Sequence, residues 1–302
     1  MAGIYIYSDK ANIAAELVTL ARQAGKTAVL LAFDQDQADT LTQCGADQVC
    51  LLQGDSPLPE NYAQAVADLL TQEGADLLAV GATARGRDLA ARVAGYLDCG
   101  MASDVSSLSY QDGAWQCERM LYGGAVVQGQ ILMGLCVVTV PAGKFEAASG
   151  NCDITALTVG ADTRVSLVEQ TPIVKTGADL TNAERVVCVG MGLDKKEDLS
   201  MIQELANCLS AEIGCTRGVA EERHWLPVEQ YIGISGAVIR PKLYLCLGVS
   251  GQVQHVVGVR DAKLIVAVDI NEKAPIFRSA DYGIVGDMYE VVPLLVQALK
   301  NA

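Results

Sequence analysis

LYLCLGVSGQVQHVVG, Leu243–Gly258, decides the reading of the second half of this chain. LYLCLG is an unbroken apolar run of strand length, and a short run closed by a turn signal reads as a strand buried on both faces. Gly248 ends the run, Ser250-Gly251 makes a small polar turn, and a helix carrying His255 follows. The chain has only 2 histidines, and this one stands one turn into a helix at the carboxyl end of a buried strand. In open parallel sheets, ligands lie beyond the carboxyl ends of the strands. The stretch therefore predicts a strand–turn–helix unit and one wall of a site.

Outward from it, the same pattern repeats. RVVCVGMGL (185–193) is a strand and turn, and DLSMIQELANCLSAEIG (198–214) a helix with Met201, Leu205, Cys208 and Leu209 on one face. KLIVAVDIN (263–271) is a strand, and YEVVPLLVQALK (289–300) a closing helix. The first half alternates likewise. GIYIYSD, KTAVLLAFD, QVCLLQ and ADLLAVGAT are strands, separated by helices such as NIAAELVTLARQAG, which places Ile13, Leu17, Leu20 and Ala24 on one face. Between about Ser106 and Val140 an Asp-Gly turn and short alternating runs predict an antiparallel hairpin appended to the sheet. Asn151 to Glu184, rich in Thr, Asp and Gly, reads as a connector. The predicted class is α/β: two doubly wound parallel-sheet domains, 1–184 (with 151–184 as connector) and 185–302, the second Rossmann-like.

Composition narrows the function. The chain has 302 residues, 51% hydrophobic and 19% charged, enough apolar material for packed cores. A net charge of -14 repels phosphate backbones, so nucleic acid is excluded as a first partner. The opening MAGIYIYSDK has no basic segment followed by a long apolar one, and no apolar run reaches membrane-spanning length. The 10 cysteines form no C-x-x-C pair and several sit in apolar runs, which predicts reduced, buried thiols in a cytoplasmic protein. Neither histidine has a cysteine at zinc spacing, so no metal site is expected.

Three strands of the second half end in small or polar groups: Gly190-Met191-Gly192, Gly248–Gly251 and Asp269–Asn271. GCTRG (214–218) and YIGISG (231–236) add loop chemistry. Glycines let backbone approach a pyrophosphate, so the convergence has the form of a nucleotide site. G-x-G-x-x-G is absent, because Lys195 stands where its third glycine would be; this weakens a nicotinamide-dependent oxidoreductase. A non-redox adenine-nucleotide module is a further alternative. Each element also has a structural reading: His255 as a satisfied core histidine, Arg217 as a helix cap, Asp287 as an N-cap. Ser250 and His255 lack a nucleophile elbow, so acyl-transfer catalysis finds no support.

Taken together, Pro241–Leu295 resembles the C-terminal signature of the electron transfer flavoprotein alpha subunit, whose pattern runs P-x-L-Y-x-x-x-G-I-S-G-x-x-Q-H, I-V-A-I-N-x-D-x-x-A-P-I-F and A-D-Y-G-I-V-x-D. GATARGRDLAARVAGYLDCGMASDV (81–105) and YGG (122–124) fit the family's first domain more loosely. GCTRGVAEERHW and EQYIGISG are most similar to the branch associated with carnitine and acyl-CoA metabolism.

The resemblance implies FAD held by the second domain and a beta subunit packed against the first. It implies an electron carrier with no small-molecule substrate, fed by a flavin-dependent acyl-CoA-type dehydrogenase and drained by a downstream redox acceptor. It places Arg217 against the isoalloxazine, with Thr216 beside it in place of the family's serine. Ile232, Gly233, Ile234 and Ser235 would form the loop under the flavin. Ser250, Gly251, Gln252, Val253, Gln254 and His255 would form the strand-to-helix turn, His255 donating to the pyrimidine carbonyl. Asp269, replacing an asparagine, would accept from a ribose hydroxyl, and Asp287 and Met288 would close the site. Three departures alter the charge: Met191 replaces an arginine and Ala237 a lysine, each removing a positive charge, and Asp269 and Asn271 exchange the family's Asn and Asp, which sets a carboxylate near the pyrophosphate.

Overall fold

The computed structural model describes residues 3–171 and 177–301. They divide into two compact units, one ending at Thr171 and the other made of the residues after it.

In the first unit β1 (Gly3–Tyr7), α1 (Ala11–Gln23), β2 (Thr27–Ala32), α2 (Gln35–Leu41), β3 (Gln48–Gln53), α3 (Ala63–Gln72), β4 (Leu77–Gly81) and α4 (Ala84–Leu97) alternate. There follow β5 (Met101–Ala102), β6 (Val105–Gln111), β7 (Ala114–Leu121), β8 (Val126–Leu132), β9 (Cys136–Val140) and β10 (Ile154–Thr158). Seven strands form one parallel sheet in the order β10-β3-β2-β1-β4-β9-β5. Strand alternation splits its side chains between two cores. Ile4 and Ile6 face α1 and α2, with Leu17 and Leu41; Tyr5 and Tyr7 face α3 and α4, with Val66 and Leu89. Burial on both faces is why these strands read as continuous apolar runs.

The structure adds detail to two expectations. The appended hairpin is a three-stranded antiparallel sheet, β6-β7-β8, and β9 returns to the parallel sheet beside β4. Trp115 and Cys117 of β7 pack into the first core. The opposite side exposes Ile131 (67%), with Tyr122 (82%) and Met133 (81%) nearby. The stretch 151–184 is not a uniform connector. Its start supplies β10, paired with β3 through Ile154↔Val49 and its neighbours, and near its end Leu180 is buried in the second unit.

The second unit contains β11 (Arg185–Val189), α5 (Leu199–Leu209), β12 (Glu212–Cys215), β13 (Leu243–Leu247), α6 (Val253–Val256), β14 (Ile265–Asp269), β15 (Tyr282–Val285) and α7 (Met288–Lys300). Its sheet is parallel throughout, ordered β12-β11-β13-β14-β15. α5 and α7 cover one face through Ile202, Leu205, Val292 and Val296. Loop segments cover the other, bringing Ile232, Ile239, Val249 and Ile276 onto Tyr244, Cys246 and Ala267.

The helix expected over 198–214 ends at Leu209, where Ser210 turns left-handed (φ 49°), and Glu212–Cys215 forms β12. Its buried face is Ile202, Leu205 and Ala206, with Met201, Cys208 and Leu209 at the margin. The helix carrying His255 is a single turn. No described helix is long and apolar enough to cross a membrane.

Candidate functional site

The chain order of the second sheet sets the site. From β11 the chain moves outward to β12, then crosses back past β11 to β13. The connections leaving β11 and β13 therefore run in opposite directions, and a crevice opens where they part. A cleft of about 1050 Å³ lies there, lined by the turns after β11, β12, β13 and β14 and by the start of α7. A smaller pocket in the first unit, beside Tyr7, Asp9 and Asp34, holds about 370 Å³. Ordinary ligand pockets span roughly 300–1,000 Å³, so the larger cleft suits a dinucleotide-sized molecule.

Close backbone packing builds the floor. Gly251 adopts φ +80°, and a Cβ there would overlap the Ile276 amide nitrogen, so the turn after β13 lies directly on the segment after β14. Ile276 N–H donates to the Ser250 carbonyl at 3.1 Å and locks that approach. The turn after β11 is braced from outside the cleft. Arg223 donates to the carbonyls of Leu193 and Met191, the latter at 3.3 Å, with its guanidinium 4.4 Å over the Trp225 ring. Tyr289 accepts from Asp194 N–H at 2.9 Å and donates to Asp198 Oδ2 at 2.6 Å, tying α7 to the same turn.

The cleft brings together Thr216, Arg217, Ile232, Gly233, Ile234, Ser235, Ser250, Gly251, Gln252, Gln254, His255, Asp269, Asp287 and Met288. Val253 is not brought in; it is 58% exposed, outside the lining. Ala237 also lies off the wall, partly buried against the core.

His255 bridges β13 and the loop at Ile232. Its ring is buried, with Nε2 2.6 Å from Tyr244 Oη and Nδ1 3.0 Å from the Ile232 carbonyl. A carbonyl only accepts, so Nδ1 carries the proton and Nε2 accepts from the Tyr244 hydroxyl. Both nitrogens are thereby engaged within the protein. Burial pushes the imidazole from its ordinary 6.5 down to about 4, so it is neutral at neutral pH.

Arg217 lies at the mouth, its side chain 69% exposed and paired with Glu221. Its hydrogen bond to that carboxylate is the main cause of its raised pKa. Asp194, Glu221, Glu222, Asp269 and Asp287 also line the cleft, so carboxylates outnumber the single arginine. Asp287 Oδ1 accepts from Tyr289 N–H at 2.9 Å as the N-cap of α7, and Asp269 Oδ1 accepts from Asn271 N–H at 2.8 Å. Those carboxylates are thus partly satisfied by backbone.

Thr216 Oγ1 is buried and has no hydrogen-bond partner among the described residues. A lone buried hydroxyl costs roughly 1–3 kcal/mol, and in a cleft wall it is the group a ligand would satisfy. Together with the cleft's size and close-packed glycine turns, it fits a bound dinucleotide such as FAD. Reading the residues in sequence missed Glu221, Glu222, Asp194 and Tyr289 on the lining. Of these, Glu221 was signalled by its i+4 spacing from Arg217.

Comparison with known proteins supports the same conclusion. The family model "Electron transfer flavoprotein domain" matches residues 9–162, and "Electron transfer flavoprotein FAD-binding domain" matches residues 179–260. The chain is 37% identical over 306 residues to YdiR of Escherichia coli (strain K12), covering 99% of this chain and 98% of that protein. It is 36% identical over 308 residues to protein FixB of Escherichia coli O139:H28, again covering 99% and 98%. FixB of Shigella dysenteriae serotype 1 gives the same figures, 36% over 308 residues. With both units matched and relatives aligned along nearly its whole length, the chain belongs to the electron transfer flavoprotein alpha-subunit family, and FAD is the cofactor of its second domain.

Proposed function

We propose that this chain is the FAD-carrying half of a heterodimer completed by a beta subunit. The pair would take electrons from a flavin-dependent dehydrogenase of the acyl-CoA type and deliver them to another redox protein, with no small-molecule substrate of its own. The acyl-CoA assignment rests on the resemblance of 214–225 and 229–236 to that branch of the family.

The observation that carries the placement of FAD is the buried, unpartnered Thr216 hydroxyl in the wall of the cleft at the sheet's switch point. When bound there, FAD supplies the redox chemistry, and the chain supplies binding, orientation and local charge. Thr216 would hold the cofactor from one wall. Arg217, already paired with Glu221, would set the charge at the mouth. The 231–235 loop would support the ring system from below. Asp269 would accept from a hydroxyl, and the backbone of the glycine turns would meet the phosphates, since the side chains there are mostly acidic.

The test is to co-express the chain with a candidate beta subunit, record the absorption spectrum and add the dehydrogenase with its acyl-CoA substrate. Flavin bands that bleach on that addition support the proposal. A colourless complex that takes up no added FAD would sink it, and turnover of NADH with a small substrate by the chain alone would make it an oxidoreductase instead.

A further inference from the structure

The first unit has a switch point of its own. β1 leads outward to β2, while β4, paired on its other side, leads away towards β5. The smaller pocket of about 370 Å³ lies at the carboxyl ends of β1 and β2, where such sheets take ligands. Tyr7, Ser8 and Asp9 leave β1 along one wall, Asp34 and Asp36 leave β2 along another, and Arg85 closes it from the start of α4.

Tyr7 forms the floor. The residue is 1% exposed, and its ring packs edge-on against Phe33 with centroids 5.2 Å apart. No hydrogen bond reaches its hydroxyl among the described residues. The groups around that hydroxyl are charged: Asp9, Arg85, Glu60 and Asp34. Burial raises its pKa, so it keeps its proton. A buried hydroxyl that faces a pocket without a partner is a group a ligand would satisfy.

Helix N-termini gathered at strand ends ordinarily hold an anion. Here the protein's own groups already answer them. Asp34 Oδ1 accepts from Gln37 N–H at 2.7 Å and caps α2. Thr83 Oγ1 accepts from Gly86 N–H at 3.0 Å, caps α4, and donates its own proton to Asp9 Oδ1. Arg85 is matched by Glu60 at 2.9 Å. Asp9, Asp34 and Asp36 therefore leave the rim negative, on a chain whose net charge is -14. Phosphate is repelled from such a pocket and cations are drawn to it. The three carboxylates are also spread apart: among the described residues no group of acidic, histidine or cysteine side chains is placed to hold a metal ion. A compact divalent ion needs convergent oxygens, whereas a chain of ammonium groups can reach carboxylates one at a time.

We propose that this pocket is a second binding site, separate from the FAD cleft, for an extended organic cation of the alkyl di- or polyamine class. One ammonium group donates to the Tyr7 hydroxyl oxygen on the floor, and the others pair with Asp9, Asp34 and Asp36 at the rim. Each contact is a charge-assisted hydrogen bond.

The probe is spermidine, titrated by calorimetry into the full-length chain co-expressed with its beta subunit. Saturable binding that weakens with added salt is expected, with no heat from Mg²⁺, adenosine or inorganic phosphate. Asp9→Asn and Asp34→Asn keep the hydrogen bonds to Thr83 and Gln37, so the fold is preserved while one charge is lost. Each should weaken spermidine binding roughly tenfold. Tyr7→Phe removes only the hydroxyl and should weaken it several-fold. No binding at millimolar spermidine would overturn the proposal. So would equal affinity in all three variants, which would assign the amine to the acidic surface at large, or a preference for Mg²⁺ or adenosine. Flavin absorbance is read in the same samples. Its loss would count against the FAD reading of the other cleft and leave this test intact, because the two pockets lie in different units.

Discussion

Arg217, the residue just before the π-helical turn Gly218–Glu222 at the mouth of the cleft, donates its Nε–H to the carboxylate of Glu221 four residues on. The lining's only arginine is therefore engaged by one of its acidic neighbours. Glu221→Gln removes an anion and releases the guanidinium. Exposed pairs are worth a fraction of a kcal/mol, so FAD affinity should rise by about 2- to 5-fold at low salt, less as salt screens it. Fluorescence titration at two ionic strengths measures this, and an affinity that falls would show that Glu221 orients Arg217 productively.

Thr216→Val should move stability and affinity in opposite directions. The valine removes a buried hydroxyl that has no partner among the described residues, so the FAD-free protein should gain about 1 kcal/mol in urea denaturation. FAD should bind several-fold more weakly. A variant that loses stability without FAD would mean the hydroxyl is already satisfied.

Met191→Arg should tighten FAD binding. Met191 is 43% exposed on the cleft wall, and Arg223 holds its carbonyl, so the turn keeps its shape while the side chain changes. A guanidinium reaching phosphate makes a charge-assisted bond, and a gain of about 1.4 kcal/mol would be tenfold in affinity. Unchanged or weaker affinity would refute it.

Gly251 and Gly113 share φ +80°, but only Gly251 has backbone where a Cβ would go; around Gly113 there is nothing within 4 Å. Gly113→Ala should cost about 1 kcal/mol from backbone strain. Gly251→Ala should cost at least about 2 kcal/mol more, because the turn after β13 must separate from Ile276. Equal denaturation midpoints for the two variants would rule out that close approach.

Acid should destabilise the protein through His255. Burial depresses its folded-state value from 6.5 to about 4, so the unfolded chain takes up the proton first as pH falls. The contribution of the neutral ring is whole above about 6.5, declines through the window, and is gone below about 4, a total of about 3 kcal/mol. His255→Asn should flatten the stability–pH curve between those values; parallel curves for the two proteins would assign the acid sensitivity elsewhere.

The parallel sheets were legible because strands such as Leu243–Leu247 are buried on both faces and so read as apolar runs. β12 was not, since Glu-Ile-Gly-Cys is four residues long and follows a helical pattern without a proline or glycine break before it. β15 escaped for the opposite reason: all four of its residues are exposed, so no burial pattern marks it. Most of the segments that line the cleft were readable, because glycine turns after strands converge at the switch point. Its wiring was not. Tyr244 is 11 residues from His255 and Ile232 is 23, and nothing in strand or helix periodicity says which side chains meet across a turn. For the same reason His255 reads in sequence as a donor to a ligand, although both of its nitrogens are engaged inside the protein.

The cleft draws its walls from Met191, just after the first strand of its unit, to Tyr289, in the last helix. About a hundred residues of synthesis separate the two, roughly 5–20 s at ordinary ribosomal rates. The floor is no more complete than the walls until then, because the turn at Gly251 rests on Ile276 and the Met191 side of the cleft is tied down by Tyr289. A nascent chain therefore has no partial site with which to catch its cofactor. Loading belongs to the finished domain, after translation has passed the last helix.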